Sequence, residues 1–375
     1  MKTIFLAVLV SMLAGVVYVS WHLWRITPFG GFAKVSVVAL FLLWMASAFV
    51  CLFASERFSV PVVTVLYEVS YTWLIAFLYL LIFFIVIDVL TLLVKSLTPT
   101  LSQGEGVLSQ LFSFPLEGSG EALLAIVGII AAIMFAGNLH YRHKYREELT
   151  IHTSKQLKKP LTIVLASDLH IGYHNCRAEL ARWIDLFNAE QPDLVLIGGD
   201  IIDRSTRPLL EGNYAEEFRR LKAPILSVLG NHEYFSGLRN AEEFFEASGI
   251  RLLKDEKLDI EGIQVIGRND RSNHHRKSLS ELTDTTKTFT ILLDHQPFDL
   301  KEAEEAGIDF QFSGHTHRGQ VWPISWITDV MYEKSWGHHQ RGATRYYISS
   351  GLGIWGPKIR IGTRSEYLVL HIVPK

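Results

Sequence analysis

The stretch Leu161–His170, LTIVLASDLH, decides how this chain is read: a run of six apolar or β-branched residues leads through Ser167 into Asp168 and His170. A short apolar run of this kind reads as a strand buried on both faces. The same grammar recurs downstream. Leu194–Ile197 runs into Gly198, Gly199 and Asp200, with Asp203 just beyond, and Ile225–Leu229 runs into Gly230, Asn231, His232 and Glu233. Phe289–Leu293 leads to His295, and Phe310–Phe312 leads to Gly314, His315, Thr316 and His317. Amphipathic segments lie between, such as Arg177–Asn188 with Leu180, Trp183, Ile184 and Phe187 at helical spacing. In a sheet covered by helices, functional groups gather outside the carboxyl ends of the strands. All five polar motifs fall there. One alone would be weak; five in order are hard to obtain by chance.

The chain has 375 residues, enough for two units, and a net charge of −2, so charge gives no reason to expect a nucleic-acid partner. That average hides a split. Residues 1 to 139 are overwhelmingly apolar, whereas the rest has the mixed composition of a soluble domain. The two cysteines, Cys51 and Cys176, lie one in each part, and a disulfide between them is not expected.

The apolar part holds four segments, about 4–24, 35–53, 69–87 and 122–139. Each has the length, roughly 18 residues or more, that crosses a hydrocarbon core. The expected organisation is a transmembrane domain over 1–140 and a second domain over 145–375. Trp21 and Trp24 follow the apolar core of the first segment, where a cleaved leader would have small residues, which favours an uncleaved anchor. Glu68 and Asp88 bracket the third segment and read as boundary markers near the headgroups. With four spans both termini share one side, and that side carries Lys2, Arg57, Arg142, Lys144, Arg146, Lys155, Lys158 and Lys159. The other side carries Arg25, Lys34 and Lys95, and a Gly/Ser-rich loop over 98–120 with Glu105 and Glu117. The positive-inside bias then places the second domain in the cytoplasm, tethered to what would be a bacterial inner membrane.

Carboxylate and imidazole suit hard to borderline cations such as Mn²⁺, Fe²⁺/³⁺ and Zn²⁺, and the absence of cysteine from the motifs argues against a structural zinc site. Asp200, on a glycine-preceded turn, has two oxygens and can bridge two ions. Asn231 offers a neutral oxygen, and His315 and His317 can address neighbouring positions. Two adjacent divalent ions lower the pKa of a bridging water and clamp the attacking and leaving oxygens at phosphorus.

The set Asp-x-His, Gly-Asp, Gly-Asn-His-Glu, His and Gly-His-x-His resembles the calcineurin-like metallophosphoesterase superfamily over roughly 145–375. The resemblance implies an α/β fold, a four-layer α/β/β/α sandwich, here preceded by four transmembrane helices, with a dinuclear centre at the strand ends. It implies Asp168, His170 and His317 on one metal, Asp200 bridging, and Asn231, His295 and His315 on the other. His232 would protonate the leaving oxygen or steady the transition state, with Glu233 as a neighbour that orients it. The run Gly314–Gln320, with Ser350–Gly353 and a closing strand near Tyr367–Ile372, resembles a subgroup of membrane-attached bacterial phosphohydrolases, some acting on lipid pyrophosphates. A phosphoester substrate, lipid-linked in that case, is the expected partner, and no obligate protein partner is evident.

Several residues keep two readings. Arg318 either grips a substrate phosphate or points to solvent. His174 either touches substrate or is a plain loop residue. Asp203 and Asp294 either hold a ligand histidine or shape turns. The basic stretch Arg268–Lys277 is a solvated surface or an anion contact. The aromatic segment Val321–Trp336 is a small core of its own or an apolar lip for acyl chains or bilayer. Two further functions compete with hydrolysis: a non-catalytic metal-binding scaffold or sensor, and a transport protein regulated by its phosphoesterase domain. Every ligand position being filled weighs against the first, and spans poor in central polar groups against the second.

Overall fold

The computed structural model describes residues 2–97, 120–284 and 288–375, and the Gly/Ser-rich loop with Glu105 and Glu117 lies outside the described residues. The chain divides into two compact units, Met1–Ala136 and Gly137–Lys375. The division falls a few residues before the expected 140, because the final turns of the fourth long helix belong to the second unit.

The long helices are α1 (Lys2–Ile26), α2 (Gly31–Ala54), α3 (Val60–Leu97) and α4 (Gly120–Arg142). All four are long and apolar enough to cross a membrane. In the first unit, large apolar side chains point outward: Val17, Leu43, Leu92 and Leu124 are 65 to 73% exposed. The third helix is longer than the expected 69–87. Pro61 sits in its first turn, where a missing N–H costs nothing, and nothing between it and Leu97 breaks the ladder. Glu68 and Asp88 therefore lie within the helix rather than at its ends. Asp88 accepts a hydrogen bond from Tyr18 Oη at 2.6 Å and has His22 Nε2 at 3.2 Å, so it links α3 to α1 instead of only marking a boundary.

The second unit is built on two six-stranded sheets. The strands are β1 (Lys144–Thr153), β2 (Leu161–Ala166), β3 (Leu194–Ile197), β4 (Ile225–Ser227), β5 (Arg251–Leu252), β6 (Glu256–Ile260), β7 (Ile263–Gly267), β8 (Phe289–Leu293), β9 (Phe310–Ser313), β10 (Gly337–Arg341), β11 (Thr344–Ile348) and β12 (Ser365–Pro374). One sheet runs β1-β12-β2-β3-β4-β5, the other β10-β11-β9-β8-β7-β6. Strands β2 to β5 are mutually parallel, as are β7, β8, β9 and β11. The order of layers follows from which way each strand residue faces. Ile163, Leu165, Leu196, Ile291, Phe310 and Phe312 fill the space between the sheets. Val164, Ala166, Val195 and Ile197 face away from it, against Leu180, Trp183, Ile184 and Phe187 of helix α5 (Arg177–Ala189). Ile266, Leu292, Tyr346 and Ile348 pack on the far side against Leu279, Leu300 and Ala303. The result is the α/β/β/α sandwich, and it explains why these strands are apolar on both faces.

Candidate metal centre

The ends of β2, β3, β4, β8 and β9 converge, and their first polar residues form one buried cluster. Three groups arise, in each of which the ligand atoms lie within 4.8 Å of one another: Asp168, His170 and His317; His170, Asp200 and His232; Asp200, His295 and His315. They share members, so the cluster is continuous. His170 Nε2 is 3.0 Å from His317 Nε2, and Asp168 Oδ1 is 3.3 Å from the latter. Asp200 Oδ2 lies 3.7 Å from His170 Nε2 on one side and 3.2 Å from His295 Nε2 on the other. Two imidazole nitrogens and a carboxylate oxygen converging in this way suit a cation. Asn231 Oδ1, also buried, has no hydrogen-bond partner among the described residues. A buried amide oxygen without a donor is costly, and a cation would satisfy it. The residues fit the ions that the motifs imply.

The backbone shows how tightly this geometry is set. Asp168, His170, Asp200, His315 and His317 all have positive φ, between 44° and 70°. Side-chain-bearing residues rarely adopt this region, and such strain persists where surrounding structure over-determines it. Here the determinants are visible. Asp168 N–H donates to Gly199 O and His170 N–H to Asp200 O, both at 3.0 Å, which ties the first motif to the second. Ser167 Oγ donates to Asp168 Oδ2 at 2.6 Å. Two glycines are required by close approach: a Cβ at Gly230 would lie 2.1 Å from Asp200 Oδ1, and one at Gly314 would lie 2.2 Å from Asp168 Oδ2.

Charge within the cluster is balanced by its own members. Burial works against ionising Asp168, but His317, His170 and His295 outweigh it and hold the carboxyl well below its usual range. Asp200 is likewise held down, against burial, chiefly by His295 and His232. His232 shows the converse: burial disfavours its charge, yet Asp200 and Asp203 push its pKa up to about 9. For His317, burial prevails over Asp168 and lowers the pKa to about 4, leaving a neutral nitrogen free to ligate.

One supporting role differs from the sequence reading, and the structure fills another that the sequence leaves open. Glu233 does not orient the His232 ring. Its carboxylate accepts the backbone N–H groups of Gly230 at 2.7 Å, Ile202 at 3.0 Å and Asp200 at 3.1 Å, so it holds the turn that presents Asp200. Burial, with Asp200 beside it, raises the Glu233 pKa to about 7. The orienting group for His232 is Asp203, whose carbonyl accepts from Nδ1 and whose carboxylate lies 3.5 Å from the same nitrogen. Asp294, by contrast, pairs with Arg276 and Arg268 at 3.1 and 3.4 Å. That pairing, together with Arg271 to Asp299 and Arg268 to Glu302, both at 2.7 Å, gives the three arginines of the basic stretch acidic partners.

The two candidate substrate contacts differ in exposure: the Arg318 side chain is 32% exposed, whereas His174 is enclosed. His174 is buried, with Nε2 2.7 Å from Ile354 O. Arg318 lies over the Trp336 ring at 4.7 Å and reaches Asp329 at 3.9 Å. Residues without a motif complete the centre. Arg360, fully buried, donates to His317 O at 3.1 Å, Ser350 O at 2.6 Å and Gly353 O at 2.9 Å, while Gly353 N–H donates to Asp168 O at 3.0 Å. Asn175 donates to Leu169 O and His170 O at 3.0 Å, and accepts from Tyr141 Oη at 2.9 Å. Both brace the strained loops from behind. A lone Arg or Asn in a loop sequence gives no such signal.

Fold and cluster together define a metal-binding α/β/β/α domain. The profile of the family described as calcineurin-like phosphoesterase matches residues 161–319. A metallophosphoesterase of Aquifex aeolicus is 31% identical over 244 residues, covering 61% of this chain and 92% of that protein. The chain belongs to this metallophosphoesterase family. A metallophosphoesterase of Campylobacter jejuni is 30% identical over 229 residues, 58% of this chain and 61% of that one. The chain thus spans about three fifths of the length of the Campylobacter and Helicobacter relatives, which it covers to 61 and 64%. A zebrafish (Danio rerio) protein called a transmembrane protein with metallophosphoesterase domain is 28% identical over 363 residues, 90% of this chain and 80% of that one. This likeness reaches into the apolar helices and, with their length and composition, marks the chain as a membrane protein.

Proposed function

We propose that this protein is a membrane-anchored phosphohydrolase whose centre takes two divalent cations. The observation that carries this reading is the position of Asp200, whose Oδ2 lies between His170 Nε2 at 3.7 Å and His295 Nε2 at 3.2 Å. A carboxylate shared by two ligand groups is the arrangement a bridging ligand needs. Asp168, His170 and His317 would hold one ion, and Asn231, His295 and His315 the other, with Mn²⁺, Fe²⁺/³⁺ and Zn²⁺ all compatible with the donor set. Such ions supply an activated water and neutralise charge on the phosphoryl oxygens.

The chain's own residues account for the remainder. Asp203 O fixes His232 through Nδ1, which must be the donor, and leaves Nε2 to hold a proton for the leaving oxygen. Glu233 keeps Asp200 in place through three backbone donors. The substrate is a phosphodiester, pyrophosphate or phosphomonoester, and the four apolar helices favour one carried on a lipid. The distribution of Lys and Arg around those helices favours a cytoplasmic catalytic domain in a bacterial inner membrane. Purified protein supplied with Mn²⁺ should hydrolyse bis-p-nitrophenyl phosphate. Lipid pyrophosphates and soluble nucleotides assayed side by side should favour the lipid. Failure to cleave any phosphoester in a broad panel would overturn the enzymatic reading.

A further inference from the structure

Seven residues past His317 the chain enters helix α8 (Ile324–Met331), whose amphipathicity is inverted. A helix facing water turns its apolar stripe inward. In α8 the buried residue is Ser325, while Trp326, Ile327, Val330 and Met331 are 58 to 88% exposed, with Trp322 beside them. The Trp322 and Trp326 rings meet edge to face at 5.3 Å, which extends this surface around the first turn. The helix's one acidic group, Asp329, is tied back by Ser335. A contiguous exposed apolar patch on an otherwise well-packed domain marks an interaction surface.

The second unit itself indicates what covers this face. Trp322 N–H donates to Ile361 O at 2.7 Å, so the start of the patch is fixed to the segment 358–361. That segment also receives the end of α4, a helix long and apolar enough to cross a membrane. Arg360 N–H donates to Gly137 O at 3.0 Å, and Asn138 Nδ2 donates to Lys358 O at 2.8 Å. Gly137 is packed so closely that an added Cβ would lie 2.6 Å from Ile359 and 3.0 Å from Ile361. One short segment therefore holds both the last turns of a candidate span and the root of the inverted helix. Trp, Ile, Val and Met on such a helix suit the headgroup–acyl boundary of a bilayer.

We infer that α8 is an interfacial helix, seated by its Trp322–Trp326–Val330 face in the same bilayer leaflet from which α4 emerges. The metal cluster is then held at the lipid surface by two attachments, the span and the helix that follows His317. This surface is independent of any catalytic step.

The test uses the full chain in phospholipid nanodiscs, with Val330→Cys in a Cys176→Ser background and an environment-sensitive fluorophore on the new thiol; Cys51 is buried. Glu246→Cys, exposed on helix α7 (Leu238–Ala247), is the reference. Nitroxide placed near the lipid headgroups should quench the label at 330 severalfold more than the label at 246, and its emission should shift to the blue. Equal quenching at the two positions overturns the proposal. So does protection at 330 that appears in native membranes and is absent from pure-lipid discs, since a protein would then cover the face. Circular dichroism of both variants establishes that the fold is intact.

Discussion

The two units place the same kinds of apolar residue in opposite directions. In the first, Val17, Leu43 and Leu92 point outward; in the second, Ile163, Val164 and Leu165 on adjacent positions are wholly buried, some between the sheets and some under α5. The reason is the solvent each unit meets. Outward apolar side chains are stable against lipid and unstable against water, while a water-facing domain must turn its strands inward on both faces. Polar groups divide likewise. The described polar contacts of the first unit include small local links, Tyr18 and His22 to Asp88 and Ser47 to Ser70. The second unit concentrates carboxylates and imidazoles at the strand ends, where each charge is balanced by a neighbour. The buried charges are the specialised feature, and the apolar content is the ordinary response to two media.

The largest expected effect follows from breaking that balance at its centre. Asp200→Asn removes the shared charge and should lower hydrolysis by about a thousandfold, with loss of bound metal measured by elemental analysis. Retention of full metal content and rate would sink the bridging assignment. His232→Ala should cost about a hundred- to a thousandfold in rate, as expected for a lost general acid, while the metal content stays the same. A parallel fall in metal would instead make His232 a ligand. A matched pair of small deletions sharpens the contrast between the units. Ile184→Val, in the core under the first sheet, should cost about 1 kcal/mol in denaturant unfolding. Ile85→Val, half-exposed on α3, should change unfolding of the second unit by less than about 0.5 kcal/mol.

A separate effect concerns pH dependence. In metal-stripped protein the His232 pKa is raised from 6.5 to about 9. A raised folded-state pKa means that the charged ring stabilises the fold fully below pH 6.5, and that this contribution disappears as pH rises through about 9. The stability difference between wild type and His232→Gln, followed by thermal unfolding, should shrink across that window. A difference that grows with pH would show that Asp200 and Asp203 do not set the charge of the ring.

Much of the fold was legible because its signals are local. Fully apolar runs such as Leu194–Ile197 announce strands covered on both faces, and the residues directly after them supply the clustered groups. Four long apolar segments were equally plain, although the third reached further in both directions than hydropathy alone suggested, since charged residues such as Asp88 end an apolar window without ending a helix. The supporting residues were less legible. Asp203 was an open choice between turn and ligand support, Glu233 was expected to act on His232, and Arg360 and Asn175 carried no motif at all. Their roles rest on contacts across distant sequence, as Arg360 makes to His317 and Glu233 to Asp200 and Ile202.

By itself, then, the sequence determined the elements, the residue types at the strand ends and the family to which they belong, because periodicity and motif spacing are properties of neighbouring residues. Only the tertiary structure decided which side chains share Asp200, which groups brace the strained backbone, and that α8 turns its apolar face outward. Those facts depend on contacts between segments far apart in the chain, such as 137–138 with 358–361, and no local pattern encodes them.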